Sequence, residues 1–306
     1  MSRYLGVGKQ SAWGTSVAPT EWLDPITIDI KTEKEPLQLR TISNRLVQKF
    51  LEGKIVVTGD IETPANPEAI GLLLLATFGN VSSTAQTAST QHVFTPKTKY
   101  DEVPPFLTLE IGSDNVYRRI LDVIGASLAI EFPPGEIVSC RFSILGSKEE
   151  SSTEQSPSFP DARPFTANDA TVTLGGASAE LRALSIEFNN NPSTDHHHVI
   201  GSRYLTRHEL GDLEVTGSMD LLFDSRDELD RFLNDDETSL TIDLIGETIS
   251  GDEKYELKIE LPVIIYSAWG APVNVGEQII QSIDFVARKP DSGDIKVTLV
   301  NTVSSY

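Results

Sequence analysis

Apolar and polar side chains alternate along two widely separated stretches of the chain, and the two share a frame. After Gly53, Ile55, Val57 and Ile61 fall on one side and Lys54, Thr58, Asp60 and Glu62 on the other, with Val56 the one apolar residue out of phase. After Gly211, Leu213, Val215, Met219 and Leu221 oppose Asp212, Glu214, Thr216, Ser218 and Asp220. A period of two predicts a strand with one buried and one wet face. Gly53-Lys-Ile-Val-Val-Thr-Gly59 matches Gly211-Asp-Leu-Glu-Val-Thr-Gly217 at an offset of 211 − 53 = 158 residues. The same offset, without a gap, pairs Ile26-Thr-Ile-Asp-Ile30 with Leu184-Ser-Ile-Glu-Phe188, Ile42 with Ile200, and Arg45 with Arg203. The shared phase predicts a tandem duplication of a β domain.

Each repeated strand is followed by a short helical period. Asn66-Pro67-Glu68 has the form of a helix start, and Ile70, Leu73, Leu74 and Thr77 or Phe78 fall at helical spacing before Gly79. In the second copy Ser225-x-x-Glu228 reads as a capping box ahead of Leu229, Phe232 and Leu233, with enough charge to leave one face in water. Strand patterns then resume. Leu107–Gly112 is echoed by Leu240–Gly246, Tyr117–Ile124 by Tyr255–Pro262, and Gly135–Cys140 by Gly276–Ile280.

The fold class that follows is mainly β: two tandem sandwich or partial-barrel domains, each with one short flanking α-helix. Residues 1–25, small and aperiodic, read as an N-terminal arm. Residues 26–147 form the first domain, with a protruding Ser/Thr/Pro-rich loop over 80–105. Residues 148–168 are the linker and 169–306 the second domain.

Composition narrows the class further. The chain has 306 residues, 39% hydrophobic and 23% charged, enough for two ordinary domains. Ile70 to Phe78, its longest apolar run, is too short to span a bilayer, and no leader pattern opens the sequence. Cys140 is the single cysteine, which excludes an intrachain disulfide and fits assembly in a reducing cytosol. The net charge is −20, from 45 acidic and 25 basic residues. Such a surface repels a phosphate backbone. It serves solubility, or a wall that DNA must pass without sticking, and charge alone does not choose.

Catalytic patterns are missing. Gly6-Val7-Gly8-Lys9 lacks the Ser or Thr and the preceding strand of a phosphate loop. Asp195-His196-His197-His198 could offer metal ligands, but adjacent residues on a strand point to opposite faces, and a polar loop tip is the better reading. Asp235-Asp236 follows the second helical period as a solvated turn. Cys140 lies in an apolar run as an inert thiol. No cofactor, metal or enzyme activity is expected.

The chain resembles the major tail tube proteins of long, non-contractile-tailed bacteriophages. The residues that carry the resemblance are Leu5-Gly-Val-Gly-Lys-Gln-Ser-Ala-Trp-Gly-Thr15 and Gly59-Asp-Ile-Glu-Thr-Pro-Ala-Asn-Pro-Glu-Ala-Ile-Gly71. His92-Val-Phe-Thr-Pro96 before Leu107-Thr-Leu-Glu-Ile111, and Phe165-Thr-Ala-Asn-Asp-Ala-Thr-Val-Thr-Leu-Gly175, extend it over nearly the whole chain. The resemblance implies a virion structural protein, assembled in the bacterial host cytoplasm, whose sheets join edge to edge into rings that stack as a tube. Long loops and terminal arms then bridge one ring to the next. Its implied partners are further copies of itself, a tape-measure protein, and tail terminator and distal tail proteins, with DNA as transient cargo and no membrane.

If a ring takes six tube domains, a duplicated chain would close it as a pseudo-sixfold trimer. With about four lumen strands per domain, the backbone diameter would be about 48 Å, or about 40 Å between side chains. Candidate lumen-lining acids are the wet-face residues Asp29, Asp60 and Glu62, with Glu187, Glu214 and Asp220. The alternative is that this face forms the tube exterior. Alternatives to the tube itself are another virion part (terminator, head–tail connector or decoration protein) and, further off, a carbohydrate-binding β-sandwich. The latter would need clustered aromatics, whereas Trp13, Trp22 and Trp269 lie in separate segments.

Overall fold

The computed structural model describes residues 3–194, 197–222, 225–273, 278–291 and 293–306. Its first half contains β1 (Tyr4–Lys9), β2 (Glu21–Leu23), β3 (Thr27–Lys34), β4 (Leu37–Leu39), β5 (Lys49–Leu51) and β6 (Ile55–Pro64). Helix α1 (Gly71–Phe78) follows, then β7 (Gly79–Ala85), β8 (Thr90–Pro96), β9 (Leu107–Ser113), β10 (Val116–Phe132), β11 (Ser139–Gly146) and β12 (Lys148–Ser151). The second half opens with β13 (Ala170–Leu174), β14 (Ala177–Ser178), β15 (Leu181–Asn189) and β16 (Glu214–Leu222). Helix α2 (Asp227–Leu233), β17 (Thr238–Ser250), β18 (Glu253–Gly270), β19 (Ile280–Ala287) and β20 (Lys296–Asn301) complete it. The chain is mainly β, as its periodicity predicts.

Two long strands organise the layers. The first part of β10 pairs with β9 and β12, and its second part with β11 and β15. Likewise β18 pairs first with β17 and β20, then with β19. A bulge marks the crossing in each, between Gly125 and Ser127 and between Tyr266 and Ala268, where an extra residue bends the strand from one layer to the other. One layer of the first half runs β2-β1-β9-β10-β12, and its counterpart runs β14-β13-β17-β18-β20. The other layer is shared. It runs β3-β6-β11-β10-β15-β16-β19-β18 as one antiparallel sheet of eight strands through both halves. Among the described residues the ladders branch but never close a circuit, so this is an open sandwich rather than a barrel.

The core between the layers is continuous across the halves and includes Val57, Ile61, Ile130, Phe142, Ile186, Met219, Ile283 and Phe285. Every residue of α1 is buried in it, and Phe78 meets Phe188 edge-on at 4.9 Å. By contrast α2 has no buried residue, where its charged period predicts only one face in water; Phe232 is partly buried against the core.

Several expectations are corrected. Residues 1–25 are no free arm: Leu5 and Val7 are buried in β1, which lies between β2 and β9. Gly6 permits this, since a Cβ there would lie 2.6 Å from Pro19. The 80–105 loop is largely the β7–β8 hairpin, and β8 pairs with β20 of the other half. The linker contains β12 and a 3₁₀ turn at Ala167–Asp169. Helix α1 starts four residues late, because Asn66 closes a turn by accepting from the Glu68 amide (2.9 Å). The capping box does not form. Ser225 accepts from the Asp227 amide, while Glu228 takes the Tyr266 hydroxyl.

The ungapped repeat also slips. Asp29 faces Asp60, but Ser185 faces Ser218, so this strand is equivalent at 185 − 29 = 156 residues. A slip of two preserves which face each side chain takes. The repeated glycines agree with it. A Cβ at Gly59 would lie 2.2 Å from the Asp29 carbonyl oxygen, and one at Gly217 2.5 Å from that of Ser185.

Where β2 meets α1, the buried Glu21 carboxyl group accepts from the Leu72 amide (3.3 Å). Burial pushes its pKa up to about 8; the Leu72 amide opposes the rise and repulsion from Glu68 adds to it. The folded state therefore holds this proton more tightly than the unfolded chain, and stability is lost as pH rises from about 4.5 toward 8. Glu21→Gln, which keeps an acceptor, should unfold at the wild-type temperature near pH 4.5 and about 5 °C higher at pH 8. A difference independent of pH in thermal melts would show that the carboxyl plays no such part.

Candidate functional site: an acidic face on a continuous sheet

The polar members of the alternating strands all leave the shared sheet on the side away from the core, and antiparallel register sets them in rows. One row runs Asp29, Asp60, Ser143, Ser127, Asn189 and Glu214. The next runs from Glu62 through Arg141 and Ala129 to Glu187 and Thr216. A further row joins Glu131, Ser185, Ser218 and Asp284, and Asp220 stands between Ala183 and Ser282. Thus Asp29, Asp60, Glu62, Glu187, Glu214 and Asp220, chosen from sequence phase, share one face of one sheet. Glu131 and Asp284 belong with them. The alternation of Arg141-Phe-Ser143-Ile and of Ser282-Ile-Asp284-Phe carries the same signal and would have located Asp284.

Two basic residues on this face are held by acids. Asp60 accepts from Ser143 Oγ (2.6 Å) and Arg141 (2.7 Å), and these bonds, in that order, hold its carboxyl below the usual range. Lys31 donates to Asp29 (3.0 Å), which raises its pKa. With those charges balanced, Glu62, Glu131, Glu187, Glu214, Asp220 and Asp284 leave the face negative. Hydroxyls fill the spaces between them: Ser185 and Ser218 meet at 2.9 Å, and Ser282 donates to Asp220 (2.6 Å). The result is a hydrated acidic surface. It offers a polyanion nothing to grip.

At one rim the face turns apolar. Ile124 and Leu145 are buried there with Val56 beside them, beneath Leu205 and Leu210 from the segment between β15 and β16. This explains the out-of-phase Val56, whose outward position is roofed by another part of the chain. The sheet also ends in two unpaired edges. Among the described residues β3 pairs only with β6, and Ile265–Gly270 of β18 only with β19.

The other sequence candidates lie elsewhere. His197 sits between Glu209 (2.8 Å) and Arg207 (2.9 Å), while Asp195 and His196 fall outside the described residues, as do Gly276 and Glu277 of the second strand echo. Among the described residues no three His, Cys, Asp or Glu are placed to hold a metal ion. Asp235 turns the chain after α2 with a positive φ of 55°. Burial pushes the Cys140 thiol up to about 12, far from a reactive thiolate. No helix among the described residues is long and apolar enough to cross a membrane.

The chain matches none of the curated proteins. Residues 2–287 match a family model described as phage tail tube protein. With that match over nearly its whole length, the chain belongs to the phage tail tube protein family and is a structural component of the phage tail.

Proposed function

We propose that three copies of this chain join edge to edge into a ring, and that stacked rings form a tube with the acidic face toward the lumen. The observation that carries this is the β10–β15 ladder. There the sheet of one repeat passes into the sheet of the next through six consecutive Cα partners, Ser127↔Asn189 to Phe132↔Leu184. The duplicated chain leaves the same junction half-made at both ends: β18 is the counterpart of β10, and β3 of β15. Transferring the register pairs Ala268 of one copy with Glu33 of the next, Trp269 with Thr32, and Gly270 with Lys31.

Closing the ring removes every exposed edge of this sheet, which is otherwise a template for aggregation. Three chains of eight strands give about 24 strands and a backbone diameter of about 48 Å, wide enough for a DNA duplex. An acidic, hydroxyl-rich wall lets DNA slide without trapping it. Before DNA enters, a tape-measure protein occupies the lumen, and terminator and distal tail proteins bound the tube. Assembly precedes release from the host cell, in its cytoplasm.

Electron microscopy of assembled protein should show tubes with threefold symmetry and a pseudo-sixfold outline. Six full copies per ring would overturn the stoichiometry. Glu62→Lys, Glu187→Lys and Asp220→Lys together should leave tubes intact and slow genome ejection on the order of tenfold, as a wall turned basic retains phosphate. Unchanged ejection would place these residues outside the lumen.

A further inference from the structure

The two halves present the same apolar rim in two different states. In the first half, Leu145 pairs with Thr58 on one side and Ile124 on the other, and both apolar side chains are buried. In the second half the equivalent row is Thr216, Val286 and Ile265. Here Val286 is 43% exposed, against 1% for Leu145, and Ile265 is only partly buried. The strand registers are the same. What differs is the cover.

That cover is a folded-back segment, residues 197–210, which leads from β15 to β16. Leu205 and Leu210 lie on Ile124 and Leu145. The Arg203 carbonyl accepts from the Ile55 amide (2.8 Å), and His208 packs on Trp13 with a ring separation of 5.1 Å while donating to the Asp122 carbonyl. The segment belongs to the second half but roofs the first, because the β10–β15 ladder brings it there.

Its counterpart in the first half leads from β3 to β6 and holds the β4–β5 hairpin. In the single chain this hairpin has its apolar side chains in water: Leu37, Leu39, Ile42, Leu46, Phe50 and Leu51 are all exposed. Among the described residues the apolar hairpin has no partner and the apolar rim no roof, and they fit as the two halves of one missing contact. Charge agrees with the match. Between Leu37 and Leu51 the hairpin carries Arg40, Arg45 and Lys49 and no acid, within a chain of net charge −20. The rim it would meet has Glu214 at the position that Val56 holds in the first half.

We infer that the β4–β5 hairpin of one copy folds over Ile265 and Val286 of its neighbour in the same ring, as residues 197–210 fold over Ile124 and Leu145 within the chain. The inference rests on the edge-to-edge reading above. Once β3 lies along β18 of the neighbour, the segment that follows Lys34 emerges beside Ala268, next to the uncovered pair. The hairpin is then a lateral clamp between neighbours, in contrast to the ring-to-ring bridge expected of long loops.

Cysteine pairs separate the two claims, since Cys140 is buried and its thiol pushed up to about 12, which keeps it silent. In assembled full-length protein, Val47→Cys with Val286→Cys should form disulfides under mild oxidation. Val47 is the counterpart of Leu205 at the 158-residue offset. The cross-linked ladder on a non-reducing gel should stop at the number of chains in one ring, and either single variant should give none. The pair Glu33→Cys with Ala268→Cys reports the strand ladder by itself. Links from this second pair alone would overturn the clamp and leave the ring standing, while links from neither would overturn both. A Val47–Val286 ladder running past one ring would show a contact between rings and also overturn the clamp. Val286→Glu tests the same point without cross-linking. Its melting temperature as a free chain should be unchanged and its tube yield reduced at least about tenfold. An unchanged yield would overturn the clamp.

Discussion

A backbone hydrogen-bond ladder does not stop unless something takes up its last row of amides and carbonyls. In this protein the ladder between β10 and β15 carries one sheet through both halves of the chain. The continuous core, the alignment of the acidic rows and the placing of the folded-back 197–210 segment follow from it. In the ring we propose, the junction also sets what a second copy supplies. Among the described residues its donors and acceptors are taken up by a second strand at that one place and are left to water at the two outer edges. The same interaction is tertiary structure in the middle of the chain and, in the ring we propose, the interface at its ends.

The two sides of this sheet divide the work by parity alone. Inward residues such as Phe142, Ile130, Ile186 and Phe285 are buried against the second layer and α1. Outward residues are carboxylates and hydroxyls separated by one strand spacing, so their charges are neither paired deeply nor clustered tightly enough to bind an ion. Asp60 and Asp29 are tied to cations, Arg141 and Lys31, and these contacts are exposed and of small energetic weight. In the tube we propose, a surface of this kind suits passage rather than capture.

The departures from regular pattern are informative because each has a neighbour that explains it. Val56 is apolar on a wet face because Leu205 and Leu210 roof the adjoining rim. Glu21 is a carboxylic acid in a buried strand because it takes the Leu72 amide at the start of α1, whose first amides have no partner within the helix. The glycines at 59 and 217 recur because a neighbouring carbonyl stands where their Cβ would be.

Much of this was legible in the residues. Alternation at Gly53–Glu62 and Gly211–Leu221, with the matched Ile26–Ile30 and Leu184–Phe188, identified the strands and assigned Asp29, Asp60, Glu62, Glu187, Glu214 and Asp220 to one side, since a period of two survives even the two-residue slip in β3. The helix stop at Gly79 was equally plain, with its left-handed φ of 87°. What could not be read was pairing between distant segments. β1 looked like an arm and β7–β8 like a loop because their small and hydroxyl-bearing residues acquire strand structure only from β9, β2 and β20 beside them. Local periodicity is written in each segment's own side chains, so the sequence by itself determined the faces. Which strand lies next to which depends on backbone groups that every residue carries alike, and only the tertiary structure decided that.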